Sequence, residues 1–199
     1  MIDVEFDDRA YTGAHYGHIC RAQVRPNGVT IIDGTGGPPL SPMDIVIEGN
    51  RITQVRQAGW PGLPMQANRE PRDFDHEIDG TGMYLMPGFI DMHSHSDWRL
   101  FANRRAESKI RQGVTTEVVG NCGFTYAPVS AHSRSFVEAR LRTFAYDGPV
   151  EWESFADHLS FLSNAGHSQN LAWFVGHNSV RHAAGVFGPT ATEAELVAM

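Results

Sequence analysis

Between Tyr84 and Val175, short apolar runs alternate with helix-forming stretches, and this alternation restricts the fold more than any other feature of the chain. Tyr84-Leu85-Met86 and Pro87-Gly88 lead into Phe89-Ile90-Asp91-Met92-His93, a run with the length of a buried strand. Residues 104–112 are mostly good helix formers and stop at Gly113, the residue expected just past a helix end. Val114-Thr115-Thr116-Glu117-Val118-Val119 reads as a second strand. Trp152, Phe155, Leu159 and Leu162 then recur at helical spacing before Gly166, which predicts a helix with these residues in the core. Leu171-Ala172-Trp173-Phe174-Val175 supplies a third strand. Strand, helix, strand, helix, strand is parallel α/β architecture, and such repeats either wind an open sheet or close a barrel.

The preceding residues follow another pattern. Residues 1–25 show neither helical nor strand periodicity and are read as an N-terminal arm. Val29-Thr30-Ile31-Ile32 is a β-branched run closed by turn formers at 33–39. Residues 44–48 and 52–56 flank the tight turn Gly49-Asn50-Arg51 as a hairpin, so 26–86 is expected to be a small, incomplete β-sandwich-like unit. Its stretch from Ala58 to Asp75, rich in Pro, Gly, Arg and Asp, reads as a surface loop. Residues 87–199 then form three βα units. A capping box at Thr192-Glu193-Ala194-Glu195 opens a helix that ends at Met199 after about two turns. Since an eight-stranded barrel needs ~250 residues, the expectation is of a chain cut short.

Charge narrows the partners. Sixteen Lys and Arg against 23 Asp and Glu give a formal charge of −7, which repels a phosphate backbone, so no nucleic-acid partner is expected. No apolar stretch is long enough for a membrane span, and the acidic opening residues 1–8 do not make a secretory signal. Two well-separated cysteines, Cys20 and Cys122, are no disulfide framework; a cytoplasmic setting is expected.

Chemistry concentrates at the ends of the predicted strands. Asp91, His93, His95 and Asp97 are spaced by two, so on an extended strand they share a face, as two imidazoles must to reach one cation. His-x-His alone is weak, and surface histidines are the bland reading. Position strengthens it, because the C-terminal strand ends are where parallel α/β proteins place ligands. Cys122, between Gly120 and Gly123, follows the next strand; it is either a small buried hydrophobe or a thiolate donor beside the histidines.

These segments carry a resemblance. Residues 87–97, Pro-Gly-Phe-Ile-Asp-Met-His-Ser-His-Ser-Asp, and residues 111–123, Arg-Gln-Gly-Val-Thr-Thr-Glu-Val-Val-Gly-Asn-Cys-Gly, resemble the N-terminal third of the amidohydrolase superfamily, most of all its N-acyl-D-amino-acid deacylase (D-aminoacylase) branch. The likeness is dense from about Gly28 to Pro128 and thinner afterwards, where residues 175–181 also resemble the branch. It implies a partial (β/α)8 TIM-type barrel preceded by a small β domain. It implies a hydrolase using one or two Zn2+ ions to split N-acyl-D-amino acids, small-molecule substrates, into a carboxylate and a D-amino acid. His93, His95 and Cys122 would be its metal ligands in this chain, with further histidines and a general-base aspartate beyond residue 199; the 199 residues alone are then expected to be inactive and to aggregate through exposed strand edges.

Other residues have plainer readings. Lys109, the only lysine, lies badly for a metal-bridging role and reads as a solvated helix charge paired with Glu107 or Glu117. His177, ending the third strand, is a candidate substrate contact or a hydrogen-bonded rim histidine. Asp97 either orients a ligand histidine or caps a loop. His15, His18 and Cys20 form a loose cluster in the arm without an element to order it. The rival functions are another amidohydrolase reaction, on cyclic amides or dipeptides, and a non-catalytic truncated fragment.

Overall fold

The computed structural model describes residues 21–48, 51–58 and 76–199, in two compact units divided after Pro87. The first holds one five-stranded sheet among its described residues. Strand β1 (Arg21–Ile31) pairs antiparallel with β2 (Leu40–Glu48), which pairs antiparallel with β3 (Arg51–Gln57). On its other side β1 runs parallel to β4 (His76–Asp79) and, further along, to β5 (Tyr84–Leu85). The hairpin expected at 44–56 is therefore present. Residues 21–25, expected in the arm, belong to β1, where pairing with β2 and β4 organises a segment without periodicity of its own; residues 1–20 lie outside the described residues. The predicted loop lies outside the described residues from 59 onward, as do His15, His18 and Cys20. Alternation along β1 and β2 buries Val29, Ile31 and Ile45 on one face.

The second unit has the predicted parallel order. β6 (Phe89–Asp91), β7 (Val114–Val119) and β8 (Asn170–Trp173) form a three-stranded sheet with β7 central. Helices α1 (Asp97–Leu100) and α2 (Glu107–Ile110) lie between β6 and β7 in sequence, α3 (Arg134–Thr143) and α4 (Phe155–Ala165) between β7 and β8, and α5 (His177–Ala183) and α6 (Glu193–Ala198) after β8. The core gathers Phe101, Tyr126, Leu141, Trp152 and Leu162. Ser154 and Thr192 close reciprocal capping boxes with Asp157 and Glu195, the latter as expected from sequence.

Four expectations are corrected here. The nine-residue helix at 104–112 is a single turn, Glu107–Ile110, because Ala106 ahead of it takes a left-handed conformation, φ 45°, which blocks extension towards the N-terminus. β6 is not buried: Phe89 and Ile90, and Met92 just beyond the strand, are more than half exposed, β6 being an edge strand paired only with β7 among the described residues. The third strand ends at Trp173, leaving Phe174 and Val175 exposed. On α4 the buried residues are His158 and Leu162, one turn apart, while Leu159 is exposed, so the helix is rotated from the phase that the apolar spacing suggested.

Candidate metal centre

β6 stops at Asp91 and α1 starts at Asp97, so His93 and His95 lie on an irregular segment beyond the strand, not on the strand itself. Cys122 lies in a 3-10 turn, Asn121–Gly123, directly after β7. Parallel pairing of β6 with β7 brings these two strand ends together. One donor atom from each of His93, His95 and Cys122 lies within 4.8 Å of the others, and Cys122 Sγ is 3.5 Å from His93 Nε2. The His93 and His95 rings meet edge to face with centroids 5.6 Å apart.

The local backbone is built for this approach. Cys122 itself is left-handed, φ 55°, a conformation that costs a non-glycine residue roughly 1 kcal/mol. Gly120 is left-handed too, and a Cβ there would stand 2.2 Å from the Phe174 carbonyl oxygen, so only glycine allows β7 to turn beside β8. Cys122 is a free, exposed thiol rather than a buried hydrophobe. Burial, with the neighbouring His93 and Arg140 charges, holds His95 below the usual histidine range, favouring the neutral imidazole that coordinates a cation. His95 Nδ1 is buried without a hydrogen-bond partner. Two imidazoles and a sulfur converging at this separation are the donor set of a zinc-type site.

The flanking residues depart from their sequence readings. Asp97 is fully buried and makes no hydrogen bond to His93 or His95, so it does not orient a ligand histidine; burial, only partly offset by the backbone N–H groups of Gly120 and Trp98, pushes it up to about 7. Lys109 does pair with Glu117, one of its two expected partners, but in a largely buried ion pair and not as a solvated charge. Its Nζ reaches Asp91 Oδ2 at 2.6 Å and Glu117 Oε1 at 3.2 Å, while Glu107 pairs with Arg105. His177 opens α5, exposed and outside the three-donor cluster, although Asn178 beside it packs on Gly123.

Glu117 and Asn121 are the residues that pattern reading missed. Glu117 is wholly buried on β7 and accepts from Ser94 Oγ at 2.6 Å, Ser96 Oγ at 2.7 Å and Gln169 Nε2 at 2.9 Å. Burial alone would raise its carboxyl, but the two hydroxyls, the amide and the Lys109 ammonium outweigh burial and hold it below the usual glutamate range. Asn121 Nδ2 donates to the carbonyls of Ser94, at 3.2 Å, and Val118, at 2.8 Å. The available signal was a carboxylate inside a β-branched strand, which must find buried partners.

With the geometry established, comparison with known proteins is informative. The amidohydrolase family profile matches residues 76–197. The chain belongs to the amidohydrolase family. Among curated proteins of Alcaligenes xylosoxydans xylosoxydans it is 36% identical over 174 residues to an N-acyl-D-aspartate deacylase, covering 86% of this chain and 32% of that protein. It is equally identical over 173 residues to a D-aminoacylase, covering 86% and 33%. Among solved structures it resembles N-acyl-D-glutamate deacylase from Bordetella bronchiseptica, complexed with zinc and a phosphonate inhibitor, with a TM-score of 0.66, 28% identity and coverage of 92% and 35%. A D-aminoacylase structure gives 0.65, 33% identity, 89% and 34%. The chain thus spans about a third of the length of these amidohydrolases. Within that third lie all three donors of the cluster.

Proposed function

We propose that this chain carries the metal-ligating segment of a zinc-dependent amidohydrolase that cleaves N-acyl-D-amino acids into a carboxylate and a D-amino acid. The observation that carries the reading is the convergence of His93, His95 and Cys122 at the ends of two adjacent parallel strands. The deacylases and D-aminoacylase among its relatives supply the substrate class, a small acylated amino acid. The order β6-β7-β8, parallel with helices between, suits the opening strands of a (β/α)8 barrel, where strand ends bear the active site. An exposed free thiol suits a reducing cytoplasm.

His93 and His95 would hold one or two zinc ions together with the Cys122 thiolate. A zinc ion at such a site supplies Lewis acidity, polarising an amide carbonyl and making water nucleophilic near neutral pH. The chain's own residues prepare the site. His95 is kept neutral, the turn after β7 aims the sulfur, and the Glu117 and Asn121 hydrogen bonds hold the segment on which both imidazoles are carried. No described carboxylate joins the three donors, so proton transfer from water to the leaving amine falls to a residue outside the cluster. His177, exposed at the start of α5, is the candidate substrate contact of this chain.

Titration of the whole protein with Co2+ after metal removal tests the centre. A thiolate-to-cobalt charge-transfer absorption is expected, lost in Cys122→Ala and weakened in His95→Ala; a wild-type protein without it would remove the site. For the whole zinc-loaded protein, release of free amino acid from N-acyl-D-amino acids and not from cyclic amides or dipeptides is the expected result. Cleavage of cyclic amides instead would reassign the substrate.

A further inference from the structure

The two ligand histidines alternate with two serines, and the serines do as much as the histidines to make the site. His93 and His95 turn towards Cys122. Ser94 and Ser96 turn away, and both hydroxyls donate to one atom, Oε1 of the buried Glu117, at 2.6 and 2.7 Å. The two hydroxyl oxygens lie 2.9 Å apart, and the Ser96 backbone N–H donates to Ser94 Oγ at 3.1 Å. The segment needs such restraint, because it has left the β6 ladder and not yet entered α1. Its backbone is tied to the sheet by Ser94 N–H donating to the Val118 carbonyl at 3.1 Å. Asn121, next to Cys122, closes the loop from the other side through the Ser94 carbonyl.

Glu117 is itself immobilised from three directions. It lies on the central strand, Gln169 reaches Oε2 from the start of β8, and Lys109 reaches Oε1 from α2. A wholly buried carboxylate is tolerated only with partners of this number and quality. Four donors around it make a rigid post, and the histidine segment is pegged to it at two points.

The geometry points to Glu117 as a positioning residue of the metal centre, acting through Ser94 and Ser96 to set the separation and orientation of the His93 and His95 rings. This inference rests on the metal-ligating reading above. Its physical basis is general: outer contacts that orient metal ligands typically change affinity about 10- to 100-fold when removed. It assigns the His-Ser-His-Ser pattern two faces with two tasks, one to the cation and one to the post.

The test is Co2+ affinity of the whole protein after metal removal, read from the thiolate charge-transfer absorption, alongside thermal melting. Glu117→Gln keeps shape but loses the charge and one acceptor oxygen; the double variant Ser94→Ala with Ser96→Ala leaves Glu117 intact and removes only the pegs. Each is expected to bind Co2+ about 10- to 100-fold more weakly than wild type. Ser154→Ala, which removes the cap of α4 and touches none of the Glu117, Ser94 or Ser96 hydrogen bonds, is expected to lower the melting temperature and keep wild-type affinity. Wild-type affinity in the serine double variant overturns the inference even if Glu117→Gln does not fold. Equal loss of affinity in Ser154→Ala overturns it too, because general loosening would then explain the effect. A wild-type protein with no Co2+ absorption overturns the metal-ligating reading instead, and the positioning role with it.

Discussion

His158 gives the clearest single-residue consequence of burial. It is completely buried, ringed by Phe101, Trp152, Phe155 and Trp173, and neither ring nitrogen has a partner. Burial pulls its pKa down to about 4, whereas the unfolded chain's imidazole titrates near ~6.5. Below the unfolded value the unfolded state takes up a proton that the folded state refuses. Its contribution to stability is therefore level above about pH 6.5 and falls towards pH 4, with a slope approaching ~1.4 kcal/mol per pH unit. His158→Leu is expected to flatten that part of the acid limb and, by removing two unpartnered nitrogens, to leave stability at neutral pH unchanged or raised. Urea melts of both proteins across that range decide it; an identical pH dependence would refute the assignment. The histidine was not singled out in the sequence because Leu159, its neighbour, fits an apolar helical stripe better. Only packing against Trp152 and Phe101 selects the other face.

At the level of elements, caps and turns were more legible than lengths. The box at Thr192 is a short-range pattern and forms as read, because both partners lie within one helical turn. The corresponding box at Ser154, with hydrogen bonds to Asp157, starts α4, and Ser154→Ala should cost about 1 kcal/mol in a denaturant titration. The helix before Gly113 was over-read, since propensity at 104–112 cannot reveal the left-handed Ala106 that delays its start. The turn after β7 is the element on which the site depends. Gly120→Ala would drive a Cβ against the Phe174 carbonyl and strain a left-handed backbone, φ 79°. We expect a loss of more than about 1 kcal/mol together with weakened Co2+ binding, since Cys122 is two residues on. An alanine variant with wild-type melting and affinity would show that the turn is freer than its contacts imply.

For the molecule as a whole, the exposed apolar surface governs behaviour in solution. Phe89, Ile90, Met92, Phe174 and Val175 are each at least half exposed at or beside the ends of β6 and β8, strands that are paired on one side only among the described residues. Concentration-dependent light scattering and binding of an apolar dye are expected. A sharp melt from a monodisperse monomer would count against it. Local chemistry made the parallel βαβ order, the hairpin, the cap at Thr192 and the grouping of His93, His95 and Cys122 at neighbouring strand ends legible without a structure, because periodicity and turn formers act over a few residues. Tertiary structure alone decided which carboxylate lies behind the histidines, that Lys109 bridges Asp91 as well as Glu117, and that Asp97 is fully buried. Those outcomes depend on contacts between residues tens of positions apart, whose desolvation and hydrogen-bond geometry exist only once the strands have paired.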